Sequence, residues 1–219
     1  MGNNLATFLL ILSILLILKV WTLSRFFQIA TERDEAQATL KLLQIEISLL
    51  QHRTLHDYLT GLPNRILLED RIRQAVVKAT RDHSHFLILF LDLDGFKPVN
   101  DKYGHDVGDR LLIEVGHRIR STIREEDTIA RIGGDEFVLL ACIATTSDAS
   151  VVIKKITDAL KHPFHVKNHQ IYMAASTGKS IFPEDGNTLE QLLLTADQAM
   201  YAVKNKNRTQ QRSSATKVG

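Results

Sequence analysis

The sequence predicts an α/β protein in which helices flank a mixed central sheet, preceded by a transmembrane helix and a short coiled-coil stalk. Three observations carry this prediction. Residues 5–18 contain no charged side chain. From Ile29 to Leu50, apolar residues interrupted by Arg33 recur in alternating steps of four and three. Beyond Leu55, short apolar runs alternate with helical spacings, and two of those runs are joined by a Gly-Gly turn.

A chain of 219 residues allows one ordinary domain plus an attachment. Its 44% hydrophobic and 24% charged residues belong to a folded protein and exclude a disordered one. A formal net charge of +2 is too small to call for a polynucleotide partner. The single cysteine, Cys142, offers neither a disulfide framework nor a zinc cluster. It sits in the apolar run 137–143 and reads as a small buried hydrophobe.

Residues 1–27 form the expected anchor. As a helix, residues 5–23 would span roughly 28 Å, close to the hydrocarbon thickness of a bilayer. Lys19 is near one end, where its stem can snorkel, and Trp21 suits the interface. A cleaved signal peptide is the competing reading, but no basic side chain precedes the run and no small-x-small site follows it. Lys19, Arg25 and Arg33 follow the run, so the positive-inside rule predicts a single-pass protein of the inner (cytoplasmic) membrane with the rest of the chain in the cytoplasm.

Residues 28–54 are expected to be a coiled-coil signalling helix. Ile29, Arg33, Ala36, Leu40, Leu43, Ile47, Leu50 and Thr54 trace a seam of about three and a half heptads, interrupted by Arg33. Because this helix issues directly from the expected membrane span with no intervening loop, a parallel homodimer is favoured over a helix packed on its own domain.

Residues 55–208 are long enough for a proper core. Helical spacing covers 64–80 through Ile66, Leu67, Ile72 and Val76. The continuous apolar run 86–93 suits a buried strand. A helix is expected over 107–123, a hairpin over 128–132 and 137–143, a helix over 149–161, a strand near 171–177 and a helix over 188–206. The last helix is capped by Asn187 or Thr188, with Gln191 at capping-box distance from Thr188. Residues 209–219 are polar and read as a disordered tail.

Two acidic clusters end strands. Asp92 and Asp94 close the 86–93 strand, and Asp135 and Glu136 occupy the hairpin turn. Carboxylates at the tips of adjacent strands can converge on one or two hard cations, as nucleotidyl transfer requires. Taken alone, acids at strand ends are more often ordinary solvated residues.

The residues around these acids carry more. The segment Arg131-Ile132-Gly133-Gly134-Asp135-Glu136-Phe137 resembles the signature of the GGDEF family of diguanylate cyclases. Asp57-Tyr58-Leu59-Thr60-Gly61-Leu62-Pro63-Asn64-Arg65 resembles that family's entry segment. Residues 92–101 and 103–109 resemble its strand-loop-helix nucleotide segment, and Ala196-Asp197-Gln198-Ala199-Met200-Tyr201 with Lys204 resembles its final helix. The ordered set covers essentially all of 55–208.

The resemblance implies a fold like the cores of nucleotide cyclases and polymerase palms. It implies an enzyme that condenses two GTP into cyclic di-GMP with release of two pyrophosphates, active as a homodimer and inhibited by its product. Asp92, Asp135, Glu136 and the carbonyl of Leu93 would hold Mg²⁺, with Mn²⁺ as an alternative. Gly133 and Gly134 would bring the backbone close against the triphosphate. Glu136 would activate the attacking 3′-hydroxyl, as a base or as a metal ligand, and Lys97 would neutralise charge on the phosphates. Asn100 and Asp109 would read guanine, with His105 lining the same pocket. Lys204 and Arg208, four apart on one helix face, would reach phosphate oxygens. Arg124 and Asp127 match the Arg-x-x-Asp product-inhibition site, with Lys154 or Lys155 as a second basic contact. Lys179, where relatives often carry an apolar residue, is expected to face solvent. A catalytically inactive receptor for cyclic di-GMP or GTP is the principal rival, and an enzyme for another nucleotide is a third.

Overall fold

The computed structural model describes the backbone of residues 2–216; the side chains of 2–8, of several positions between 27 and 53, of 208 and of 210–216 lie outside the described residues. The chain forms two compact units, Met1–His52 and Arg53–Gly219.

The first unit is carried by one helix, α1 (Gly2–Leu55), which continues to the third residue of the second unit. Neither glycine nor proline occurs between Asn3 and Thr60, so nothing in the sequence interrupts it. Within it, Leu9–Phe26 has a mean hydropathy of 2.0, and its side chains are exposed. By length and composition this stretch can cross a membrane. Of the expected heptad seam, Arg33, Leu40, Leu43 and Thr54 are exposed, whereas the side chains of Ile29, Ala36, Ile47 and Leu50 lie outside the described residues.

The second unit is built on a four-stranded sheet. Its elements are α2 (Arg65–Asp82), β1 (His85–Asp94), α3 (Phe96–Tyr103), α4 (His105–Thr122), β2 (Thr128–Gly133), β3 (Glu136–Ile143), α5 (Asp148–Lys161), β4 (Phe164–Val166), β5 (His169–Ile171), β6 (Ala174–Phe182) and α6 (Leu189–Thr216). The strand order is β2-β3-β1-β6, with β4 and β5 forming a separate hairpin.

Every described pairing in the main sheet is antiparallel, which corrects the mixed sheet expected from the sequence. The hairpin is the reason. β1 and β2 run in the same direction, but β3 folds back between them and pairs with both.

Strand β1 is apolar from Phe86 to Leu91 because both its faces are covered. The pleat sends Leu87, Leu89, Leu91 and Leu93 toward α4 and α5, where they meet Leu111, Val115, Ile119 and Ile156. It sends Phe86, Ile88 and Phe90 the other way, onto Leu68 and Ile72 of α2 and Leu192, Ala196 and Met200 of α6. On this second face α6 approaches so closely that a Cβ at Gly178 would lie 2.0 Å from the Met200 nitrogen.

Three further readings change. Helix α3 escapes sequence detection because eight residues are too few for a periodicity; Pro98 is tolerated in its first turn, where its absent N–H has no intrahelical partner. Cys142 is exposed, not buried: it lies past Leu140, the last β3 residue paired with β2, and on the opposite face of the strand from the buried Ala141 and Ile143. The backbone of 209–216 is helical, not a disordered tail, since no glycine or proline stops α6 after Gly186. Lys179 is exposed, as expected.

Candidate active site

Strand parity builds the site. Asp92 of β1 stands directly opposite Glu136 of β3 and, on its other side, opposite Ser176 of β6. All three share the parity of Ile88, Val138 and Ser180, so they lie abreast on the face covered by α6. Helix α6 then lays Lys204 and Asn207 over them. The Lys204 ammonium lies 2.5 Å from Asp92 Oδ2, and Asn207 Nδ2 donates to Ser176 Oγ at 3.3 Å. Ser176 Oγ in turn donates to Asp94 Oδ1 at 2.7 Å.

The hairpin turn is anchored from below. Gly134, at φ 46, makes the reversal that places Asp135 and Glu136. Its carbonyl accepts from Arg131 Nε and Nη2 at 3.0 and 2.8 Å. The other arm of the guanidinium donates to both oxygens of Asp57 at 2.9 and 3.2 Å. Asp57 is itself held by the Thr60 amide and hydroxyl, inside the tight turn that Gly61 permits at φ 69. The Asp135 carbonyl accepts from the Leu93 amide at 3.2 Å, tying the hairpin turn to the end of β1.

The electrostatics of this cluster are unbalanced. Asp92 is buried, and its Oδ1 is shielded from solvent with no hydrogen-bond partner. Burial and the charge of Asp92 push the Asp135 carboxyl above the ordinary range. Burial, followed by the charges of Asp92, Asp135 and Asp197, does the same to Glu136. An unsatisfied buried carboxylate oxygen beside two acids that resist ionisation fits the demand of a hard cation. Among the described residues, however, no three His, Cys, Asp or Glu side chains converge enough to hold a metal by themselves. An ion here would need main-chain and ligand oxygens as well.

A cleft of about 430 Å³ opens beside the cluster, lined by Leu93, Asp94, Gly95, Phe96, Lys97, Pro98, Asp135, Lys204 and Asn207. It therefore gathers Leu93, Lys97, Asp135 and Lys204 from the residues expected to bind substrate or metal. Asn100, His105 and Asp109 are not part of its lining. Asn100 is on α3 facing Gly108 of α4, where a Cβ would lie 1.8 Å from its Oδ1, and that oxygen is buried without a partner. His105 and Asp109 are exposed on α4, and Gly133 and Gly134 are exposed at the turn. The Arg208 side chain lies outside the described residues.

A second cavity, of about 370 Å³, lies between the C-terminal end of α4, the end of β3 and α5, and is lined by residues that include Arg124, Asp127, Cys142, Asp148 and Lys155. Of the two lysines considered, Lys155 lines it, whereas Lys154 is ion-paired to Asp158. Asp127 is buried, and its oxygens accept from the main-chain amides of Arg124 at 3.1 Å and Cys142 at 3.3 Å. Arg120 donates to the carbonyls of Arg124, Glu125 and Asp127 and closes the same turn. Asp127 thus shapes the turn that presents Arg124.

The sequence reading passed over Asp57, Arg131, Ser176, Asn207 and Asp197 as site residues. The available signal was strand parity and the i, i+3, i+4 spacing of Asp197, Met200, Lys204 and Asn207 along α6.

Residues 54–210 match the family described as "Diguanylate cyclase, GGDEF domain". The chain belongs to this family. Among individual relatives, it is 43% identical over 203 residues to the bifunctional diguanylate cyclase/cyclic di-GMP phosphodiesterase MucR of Pseudomonas aeruginosa, a match covering 91% of this chain and 30% of MucR. It is 38% identical over 181 residues to the diguanylate cyclase TpbB of the same organism, covering 82% of this chain and 42% of TpbB. The solved structure of TpbB comprising only its GGDEF domain superposes with a TM-score of 0.67 at 37% identity, covering 69% of this chain and 89% of that one. The chain spans less than half the length of these two curated relatives.

Proposed function

We propose that this chain is a diguanylate cyclase that condenses two GTP into cyclic di-GMP and releases two pyrophosphates. The observation that carries the reading is the buried, half-unsatisfied Asp92 flanked by Asp135 and Glu136, beside a cleft that offers Lys97 and Lys204. Three acids compensated by one lysine, beside a cleft that also offers Lys97, fit a metal–triphosphate ligand.

In this reading Asp92, Asp135 and the Leu93 carbonyl hold a divalent cation, with Glu136 adjoining. That cation, Mg²⁺ or Mn²⁺, supplies charge stabilisation to the phosphates. Lys97, Lys204 and Arg208 steady the triphosphate, and Gly133 and Gly134 allow the backbone to lie against it. Asn100 and Asp109 read the guanine edge, with His105 beside them. Glu136 would accept the proton of the 3′-hydroxyl or help to hold the cation. Each 3′-oxygen bonds to the α-phosphorus of the other nucleotide, and each α–β bridge breaks.

Because one core holds one GTP, two copies must face each other, and residues 28–54 are the proposed coiled coil that pairs them. Residues 1–27 anchor the protein in the inner membrane with the domain of residues 55–208 in the cytoplasm. The cavity beside Arg124 and Lys155 is the proposed site of feedback inhibition by cyclic di-GMP, with Arg124 as the direct contact.

The test is incubation of the full chain, in detergent or vesicles, with GTP and Mg²⁺, and separation of the nucleotides by chromatography. Cyclic di-GMP and pyrophosphate in a 1:2 ratio are expected. Binding of cyclic di-GMP without turnover would make the chain a receptor. Turnover of ATP in preference to GTP would overturn the roles of Asn100 and Asp109.

A further inference from the structure

Lys204 stands at a conflict within the site. Its ammonium is bound to Asp92 Oδ2, in a pair whose side chains are 27% and 4% exposed respectively. The same lysine lines the cleft proposed for the triphosphate. Asp92 is flanked by Asp135 and Glu136, and Asp197 lies within electrostatic reach of Glu136. Lys204 is therefore the cation that compensates Asp92.

A divalent cation approaching Asp92 must displace this ammonium or sit beside it, and both are unfavourable where screening is weak. A displaced ammonium also needs a new anion, since an unpaired charge is costly to leave in a partly buried position. The helix itself is pinned by the Asn207–Ser176 hydrogen bond at 3.3 Å, so a swing of the Lys204 side chain is the economical route. The anion within reach of that swing is a phosphate in the adjoining cleft.

We infer that Lys204 is a resident counter-cation on Asp92 that excludes a free divalent ion and yields to it only when a nucleotide triphosphate takes the ammonium. Cation and nucleotide then bind cooperatively, each promoting the other by the same factor, as linkage requires. The inference rests on the reading of Asp92 and Asp135 as cation ligands. It assigns Lys204 a function before the nucleotide binds that a plain phosphate contact does not have.

The test measures Mn²⁺ binding to the full chain in detergent, by paramagnetic resonance of the free ion. Titrations are run with and without a GTP analogue whose α–β bridge cannot be cleaved. In the wild type the analogue should tighten Mn²⁺ binding by about 5–150-fold, the usual range of such coupling. Lys204→Met should bind Mn²⁺ alone about tenfold or more tightly than wild type, and most of the tightening by the analogue should vanish. Lys204→Arg, which keeps the charge, should behave as wild type. Lys204→Gln carries the same expectation as Lys204→Met should the latter not fold.

If Lys204→Met binds free Mn²⁺ no better than wild type while the analogue still promotes uptake, Lys204 is a phosphate contact only and the inference is overturned. If no protein takes up Mn²⁺ even with the analogue, the assignment of Asp92 and Asp135 as cation ligands falls, and the inference with it.

Discussion

Replacement of Arg131 by alanine tests whether the hairpin turn is held by the brace beneath it. Arg131 and Asp57 are 11% and 15% exposed, and one guanidinium joins both Asp57 oxygens to the Gly134 carbonyl. Removing a charge-assisted hydrogen-bonding partner costs about 1.5–3 kcal/mol, and breaking a fully buried pair about 3–5 kcal/mol. Here Asp57 keeps its two bonds from Thr60 and some solvent contact, which places the expected loss at about 2–3 kcal/mol. For a domain of this size that lowers the melting temperature by about 4–12 °C. The assay is thermal unfolding of residues 53–219 followed by circular dichroism, with Asp57→Asn and the double variant completing a cycle. Since the turn carries Asp135 and Glu136, turnover should fall further than GTP affinity. A variant that melts within about 1 °C of wild type and turns over normally would refute the reasoning. The pair also has a pH signature. Burial raises the Asp57 carboxyl, but hydrogen bonds from Thr60 and the Arg131 charge outweigh it and leave it below the ordinary 3.8. Its stabilisation is thus complete above that value and is lost as pH falls through the lowered folded value.

Three other outcomes are expected. Glu136→Gln should reduce cyclic di-GMP formation by about 100-fold or more while GTP binding persists, because the shape is kept and the proton acceptor is not; turnover and equilibrium dialysis measure the two separately. Gly178→Ala should destabilise the domain by about 3 kcal/mol or more, since its Cβ would meet the Met200 nitrogen at 2.0 Å and the Ala196 carbonyl oxygen at 2.2 Å; a normal melting temperature would show that α6 can move away. Removal of residues 1–54 should leave a folded domain whose specific activity climbs with protein concentration, because tethering two copies can supply an effective concentration near the millimolar range. Activity per molecule that is flat across a dilution series, and equal to that of the full chain, would rule out the pairing role.

Much of this protein is legible in one dimension because the relevant physics is local. The uncharged run, the absence of glycine or proline between Asn3 and Thr60, and the doubly buried β1 follow from composition and period alone. So does the hairpin, because Gly133-Gly134 is a turn wherever it occurs between two apolar runs. The acids at the strand tips are equally visible, being fixed by where the strands end.

What the tertiary structure decided is which of these elements face one another. The antiparallel sheet arose because β3 folds back into the place beside β1, and strand order is a non-local choice that no periodicity encodes. Cys142 is exposed although its neighbours Ala141 and Ile143 are buried, a matter of which face of the strand end is covered. Asp57 and Arg131 are 74 residues apart, and Lys204 is 112 residues from Asp92. A pair at such separation gives no signal in the local pattern, since each residue alone reads as an ordinary surface charge. Only when α6 packs on one face of the sheet does the parity of Asp92, Glu136 and Ser176 bring three strand tips under one lysine. The sequence thus determined which chemical groups stand at the ends of the strands. Packing determined which of them are buried, which are left unpaired, and which cation compensates them, because burial and Coulomb energy depend on distances through space and not along the chain.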